Sequence, residues 1–395
     1  MSSGASGEKA VEPVLYGNWR QPARAGLGTL SGAATFVLFV VLVLTVVVNA
    51  SFGLFPAFFT ALVSGVFLVA LVRKDRHGVT LIQRIGEVVM FHRARRKGLT
   101  LYRSGPAGKS PWGTCQLPGV LASTRLGEFA DSWDRRFAVL AMPAVGSYAI
   151  VLGCQPDGAS LVDQDQIDLW VARWGMWLAD LGQEHGLVGA QAVVETTPDT
   201  GTRLRQEIQA NLVEEAPEVA RKVAGEVEMI YPSGTASVQV YIALTYQAAP
   251  RLGAKRRAME EFGADMASRI PGLTASLAGT GAGIVRPLTA GEVRRVVRTA
   301  YDPASQALFD AADLSGQTVD LSWAECGPAG HDVLRDRYYH DSGVSMTWMM
   351  TQAPKGQVQS DLLARLLAPQ KEIWRKRVAL MYRPVDVARA AEIVE

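Results

Sequence analysis

One stretch of this chain sets acid, base and hydroxyl groups side by side: Tyr338-Tyr339-His340-Asp341-Ser342. A hydroxyl or thiol, a histidine and a carboxylate make a nucleophile, its base and the group that orients the base, provided that they converge in space. Neighbours along a strand point to opposite faces, so adjacency alone makes no triad. The competing role for Asp341 is to stabilise a turn at the end of a strand. Cys326 and His331 lie shortly before the cluster, but not at a spacing recognised for a metal site. A membrane-tethered enzyme would need His340 and Asp341 to meet Cys326 or Glu325 in a deep pocket. A shallow turn would remove that reading. His77, His92 and His185 are scattered.

Two glycine-rich loops invite a phosphate reading. Gly105-Pro-Ala-Gly108-Lys109-Ser110 resembles the end of a phosphate-binding loop, but Arg103 stands where the first glycine belongs, and Pro111 and Gly113 follow where a helix should begin. Gly279-Thr-Gly281-Ala-Gly283 leads into a strand, so its glycines are expected to end the preceding helix. Cys115, Cys154 and Cys326 lie far apart without a CxxC pair, which argues for reduced thiols. The expectation is therefore no catalytic residue set, no cofactor and no metal.

The elements around these groups begin with a long uncharged stretch. From Ala25 to Val72 there is no Asp, Glu, Lys, Arg or His, and a crossing helix needs about 20 apolar residues. Leu30 to Val48 and Phe55 to Val72 supply two runs, with Asn49, Ser51, Gly53 and Pro56 as the turn. A signal peptide has one shorter apolar core, and a buried helix pair would carry polar stripes. A transmembrane hairpin over 29–72 is predicted. Lys9, Arg20 and Arg24 precede it, and Arg73, Lys74, Arg76, Arg84, Arg93, Arg95, Arg96 and Lys97 follow, which puts both ends on the cytoplasmic side of the plasma membrane. The net charge is +2 with the excess beside the hairpin, so the basic residues read as topology and lipid attraction, with no nucleic-acid surface.

Around the hairpin the chain divides into a tail at 1–28, a basic helix and linker at 73–116, an α+β domain at 117–288 and a second α+β subdomain at 289–395. In the tail, Met1 to Pro13 has a composition that does not fold, while Tyr16 and Trp19 suit the headgroup level. Thr80 to Lys97 reads as a helix with Leu81, Ile82, Ile85, Val88, Val89 and His92 on one side, lying along the membrane or docked on the next domain. Phe137–Met142 and Ser147–Cys154 read as paired strands. A helix capped by Asp163 runs to His185 with Trp170, Trp174 and Trp177 on one stripe, a ligand platform or, more commonly, core. Val188–Glu195 is a strand. Arg203–Met229 is a charged helix broken at Pro217, and Ser237–Gln247 is the clearest alternating strand. Lys255–Ala278 is helical with an interruption near Pro271, and Ile284–Pro287 is a strand. With the charged helix as an insertion, this order is the ferredoxin-like βαββαβ. Thr289 and Glu292 form a capping box opening a helix to Tyr301. Arg337–His340 and Val344–Gln352 read as strands, the second with Met346, Trp348 and Met350 on one face. Val358–Leu367 reads as a helix, Arg377–Tyr382 as a strand and Val385–Val394 as a last helix cut short by the chain end.

Several stretches carry a resemblance: Tyr16-Gly-Asn-Trp-Arg20, Glu195-Thr-Thr-Pro-Asp199-Thr-Gly201, Val297-Arg-Thr-Ala-Tyr301-Asp-Pro303, His340-Asp-Ser-Gly-Val344 with Trp348 to Gly356, and Leu366 to Pro369 through Arg375-Lys-Arg377 to Tyr382-Arg-Pro384. Together they resemble a family of actinobacterial integral membrane proteins of type IV secretion-like conjugative elements. The hairpin of that family is similar to PrgI-type membrane subunits, and its cytosolic part to the N-terminal region of TrbE/CagE-type secretion ATPases without the motor. The resemblance implies a non-catalytic, oligomeric inner-membrane scaffold that docks a separate secretion ATPase and other subunits of the transfer apparatus. The alternative is a type VII secretion membrane component of the EccE kind.

Overall fold

The computed structural model describes residues 15–17, 32–73, 75, 79–105, 115–156, 158, 161–199, 201–213, 215–230, 236–249, 255–350, 356–359, 362–368, 370, 373–385 and 390. A short strand, β1 (Tyr16–Gly17), precedes two apolar helices, α1 (Gly32–Phe52) and α2 (Leu54–Val72). The turn is tighter than the predicted Asn49-to-Pro56 cluster. Gly53 alone separates the helices, at φ 86°, a backbone conformation that glycine adopts without steric cost. Pro56 is tolerated because it sits in the first turn of α2, where its missing N–H has no helical partner to lose. Thr45 and Thr60 return their hydroxyls to the carbonyls of Val41 and Pro56, at 2.8 and 2.9 Å, so the helices expose no unsatisfied hydroxyl there.

The two helices pack on each other, yet their bulky side chains stay uncovered, with Phe36 at 71% and Phe55 at 81% exposed. Among the described residues one helix is long and apolar enough to cross a membrane, through Thr35–Phe52. The apolar stretch of α2, Leu54–Ala70, is shorter.

The next helix, α3 (Leu81–Arg96), starts at the predicted place, on a capping box between Thr80 and Gln83, and ends on Arg93, Arg95 and Arg96, which suit the negative helix end. It buries no residue. Its predicted apolar side stays open, with Leu81 and Val89 at 54% and 59% exposed. The chain then enters β2 (Leu101–Arg103), a strand inside the predicted linker.

The rest is an α+β region of antiparallel sheets. Its elements are β3 (Arg125–Ala130), β4 (Arg136–Met142), β5 (Ser147–Gln155), α4 (Gln164–Asp180), β6 (Leu187–Pro198), α5 (Thr202–Asn211), α6 (Glu218–Ile230), β7 (Ala236–Gln247), α7 (Met259–Ala275) and β8 (Ile284–Pro287). There follow α8 (Ala290–Tyr301), α9 (Ser305–Leu314), β9 (Gly330–Val333), β10 (Tyr338–His340), β11 (Gly343–Ser345), β12 (Gln357–Val358), α10 (Ala364–Leu367) and β13 (Lys376–Tyr382). The large sheet runs β13-β6-β7-β5-β4-β3. β4 takes the first half of one edge of β5 and β8 takes the second half, Leu152 to Gln155. The strands of the βαββαβ stretch therefore lie in the order β6-β7-β5-β8.

One face of this sheet carries the main core. Tyr148, Ile150, Leu152 and Cys154 alternate along β5, and Ile242, Leu244 and Tyr246 along β7, so each set points to one side. They meet Trp177 of α4 and Phe262, Met266 and Ile270 of α7, spaced four apart on one helical face. Full burial of each such side chain contributes about 1.5–3 kcal/mol. The predicted interruption at Pro271 does not occur: α7 continues to Ala275. A helical proline strands the carbonyl four residues earlier. Here that carbonyl, of Ala267, accepts from both the amide and the hydroxyl of Ser132, each at 3.1 Å.

Across the opposite face, α8 packs Ala290 and Val293 against Ala138 and Leu288. β13 pairs with β6 along its whole length, Lys376 opposite Thr196 through Tyr382 opposite Ala190. A second sheet runs β11-β10-β9-β2. Strand pairing thus crosses both predicted divisions, at 116 and at 288.

Three other elements differ from expectation. The strand predicted to Gln352 stops at Ser345, and Met346, Trp348 and Met350 are exposed, with no strand among the described residues pairing beside them. The helix predicted from Val358 is short: Val358 pairs with Tyr16 in β12, and α10 covers four residues. Most of the predicted last helix (386–389 and 391–394), the N-terminal tail up to residue 14, Trp19, and Pro106 to Ser110 of the glycine loop lie outside the described residues.

Candidate functional site

Asp341 and Ser342 form the two-residue loop of the β10–β11 hairpin, where His340 pairs with Gly343. The loop puts Asp341 at φ 32°, in the left-handed region that aspartate tolerates better than most residues. Its carboxylate accepts the amides of Ala329 and Gly330 at 2.7 and 3.1 Å and meets Arg298 at 3.2 Å. The Ser342 hydroxyl donates to Asp302 at 2.5 Å and accepts the Ala304 amide at 3.0 Å. His340 is buried, with Nδ1 2.5 Å from the Tyr301 carbonyl and Nε2 2.6 Å from the Ser345 hydroxyl. A carbonyl only accepts, so Nδ1 carries a proton and donates to Tyr301, while the Ser345 hydroxyl, which can donate or accept, partners Nε2.

The cluster is a clasp between the hairpin, α8 and the start of β9. Cys326 and Glu325, the partners an enzyme reading requires, are engaged elsewhere. The fully buried Cys326 thiol, pushed up to about 12 by burial, lies 3.3 Å from the Ser322 carbonyl. Glu325 closes a capping box on Ser322. His331 faces His340 across the strand pair and stacks on Tyr102, with ring centres 5.4 Å apart. Among the described residues its Nδ1 is buried without a hydrogen-bond partner, and burial, aided by Arg103, holds the imidazole below its ordinary value.

A polar cavity lies elsewhere, on the sheet face opposite the main core. It is a polar cleft of about 650 Å³ between β5, β6 and β7 on one side and α8 and α9 on the other. At one wall, Glu195 of β6 is 5% exposed. Its Oε1 lies 3.2 Å from Arg375 Nε, and its Oε2 accepts from Arg377 across the β6–β13 pair. Arg375 reaches Gln306 at 3.4 Å through Nη2, while among the described residues its Nε and Nη1 are buried without a hydrogen-bond partner. Burial lowers the Arg375 value against the pull of Glu195.

The other cleft arginines are matched to carboxylates. Arg295 meets Asp310 at 2.7 Å and also pairs with Asp313, and Arg286 meets Glu292 at 2.9 Å. Burial would raise Glu292, but hydrogen bonds from Arg286 and the Thr289 amide outweigh it and hold the carboxyl below the usual value. Burial, with Glu195 nearby, pushes Tyr241 up to about 12. These groups can hold a polar surface in register. No histidine stands among the cleft-lining residues, and the side chain of Cys154 belongs to the main core on the other face, where burial pushes its thiol up to about 11, away from the nucleophilic thiolate.

The tryptophan stripe divides between its two predicted roles. Trp177 is core at 3% exposed, and Trp174 stacks on it at 4.8 Å. Trp170 packs over Gly281 in a shallow apolar groove of about 330 Å³ with Ile167, Val171 and Thr280. Sequence reasoning missed Ser345 and the pairing of Glu195 with Arg375. Both had lain within or beside the stretches that carry the resemblance, and the fold joins those stretches in pairs: Glu195 with Arg375 and Arg377, Tyr301 with His340, and Arg298 with Asp341.

Residues 23–83 match the model of a domain of unknown function, DUF8461. That span takes in α1 and α2 and reaches the first residues of α3. No curated protein and no solved structure matches the chain.

Proposed function

We propose that this chain is a non-catalytic membrane subunit of a type IV secretion-like conjugative apparatus, in which the α1–α2 hairpin crosses the plasma membrane twice and a ferredoxin-like cytoplasmic region docks a separate secretion ATPase. The observation that carries the membrane half is the uncovered apolar surface of α1 and α2, from Phe36 at 71% to Phe55 at 81% exposed, which no other element buries among the described residues. Water opposes such a surface and a bilayer accepts it. At 19 residues α2 falls within the length of a crossing helix, and local thinning of the bilayer takes up any shortfall. Arg93, Arg95, Arg96 and Lys97 at the end of α3 favour the cytoplasmic side.

The docking half rests on the resemblance and on the character of the cleft, whose paired charges suit a fixed polar surface better than chemistry. The EccE-like alternative shares the same membrane half and differs in the partners. The reading is tested by solubilising the tagged full chain from its native host in mild detergent and identifying what co-purifies. Enrichment of a secretion ATPase encoded beside a relaxase supports it. Recovery of type VII components favours the alternative, and recovery of no transport component refutes both.

A further inference from the structure

The insertion between β6 and β7 turns an apolar edge to solvent. Val219, Val223 and Val227 of α6 recur every fourth residue and are 73%, 52% and 39% exposed. No residue of α6 is buried. The opposite side of the helix is tied to α5, where Arg205 meets Glu228 at 2.8 Å. An amphipathic helix of this kind either lies on lipid or pairs with protein. Its charge decides between them: Glu218, Glu226 and Glu228 against Arg221 and Lys222 leave three negative and two positive groups, a net −1 that anionic lipid does not attract.

The charges are instead ordered along the helix. At about 100° per residue, Lys222 and Glu226 flank the valine line on one side and Ala220 and Ala224 on the other. A second α6, laid antiparallel across a two-fold axis near Ala224, sets valine against valine and alanine flank against alanine flank. It also brings Lys222 of each copy level with Glu226 of the other. A parallel arrangement would face the charged flank with the alanine flank and lose both ion pairs.

We propose that α6 is a self-association surface through which two copies of this chain pair by an isologous, antiparallel helix contact. The contact concerns the insertion alone and holds whichever apparatus the protein serves, so loss of ATPase capture would leave it untouched. The test uses the full chain in mild detergent. Under mild oxidation, V223C forms a disulfide-linked dimer well above the wild-type chain, which controls for the native thiols. In that background K222E or E226K lowers the cross-linked fraction roughly tenfold, because two attractive pairs become repulsive together, and the double reversal K222E/E226K restores it to within about twofold. Cross-linking of V223C no greater than wild type, or a double reversal no better than either single one, overturns the proposal.

Discussion

The pairing of Glu195 with two arginines makes a sharp prediction about what holds β13 to the large sheet. Glu195 is 5% exposed and Arg375 11%, so both charges are out of water, whereas Arg377 at 34% keeps much of its hydration. At 3.2 Å and an effective dielectric near 20, the Glu195–Arg375 attraction is about 5 kcal/mol before desolvation. Removing one partner of a buried pair costs about 3–5 kcal/mol, because the other charge is left uncompensated. Among the described residues Arg375 already has a buried Nε and Nη1 without a hydrogen-bond partner, so it has little reserve of hydrogen bonds there.

The E195Q variant keeps the shape and removes the charge. For a unit of this size it lowers the Tm by about 10 °C, at roughly 2–4 °C per kcal/mol. R377A, which removes the more hydrated partner, costs about 1 kcal/mol or less. The double variant E195Q/R375Q loses less than the sum of the singles, since neither charge is then stranded. The assay is thermal unfolding of the detergent-solubilised chain followed by tryptophan fluorescence. A shift below about 2 °C for E195Q, or one no larger than that of R377A, would show that the pair does not hold the strand.

Three further outcomes are expected. His331 is held neutral by burial, and its folded value lies below the unfolded 6.5, so the unfolded chain binds more protons between the two. The stability of the small sheet is therefore full above about pH 6.5 and falls as the pH drops from there towards the folded value. Hydrogen exchange of β9 and β10, corrected for intrinsic rate, should rise across that window in the wild type and stay flat in H331F. T289A removes the side chain that accepts the Glu292 amide at 3.3 Å and should cost about 1 kcal/mol, read as a Tm lower by about 3 °C; an unchanged Tm would mean that the cap contributes nothing. V41R, in the middle of α1, should cost about 2.5–3.5 kcal/mol of insertion free energy and deplete the chain from the membrane fraction, and unchanged membrane levels would refute the crossing.

Local signals were legible along the chain wherever they act within a few residues. Alternation along β7 marks its core face, because successive strand residues face opposite sides, while β5 is legible only as an apolar run beside a turn. The Thr289 cap marks the start of α8, because a cap binds an amide three residues on, and the apolar spacing from Thr80 marks α3. The charge-free run marks α1 and α2. The elements missed were short or ambiguous in period: β2, β3, α9 and β9 have too few residues for a pattern to stand out. The strand predicted through Met346, Trp348 and Met350 had a pattern but no partner, and alternation without a neighbouring strand forms no ladder.

Tertiary structure decided the rest. Pro271 should have stopped α7, yet Ser132, far away in the β3–β4 loop, supplies the hydrogen bonds that the proline leaves open. The cluster at His340 had the composition of an active site, and the fold spends it on a clasp, since Tyr301, Asp302 and Arg298 arrive on α8 and at its end to meet it. Glu195 had no visible partner until β13 paired with β6. By itself the sequence determined where backbone and apolar periodicity change, because those are properties of neighbours. Which buried charge meets which, and whether a polar cluster is a site or a fastening, depended on contacts between residues far apart in the chain, set only when its elements pack.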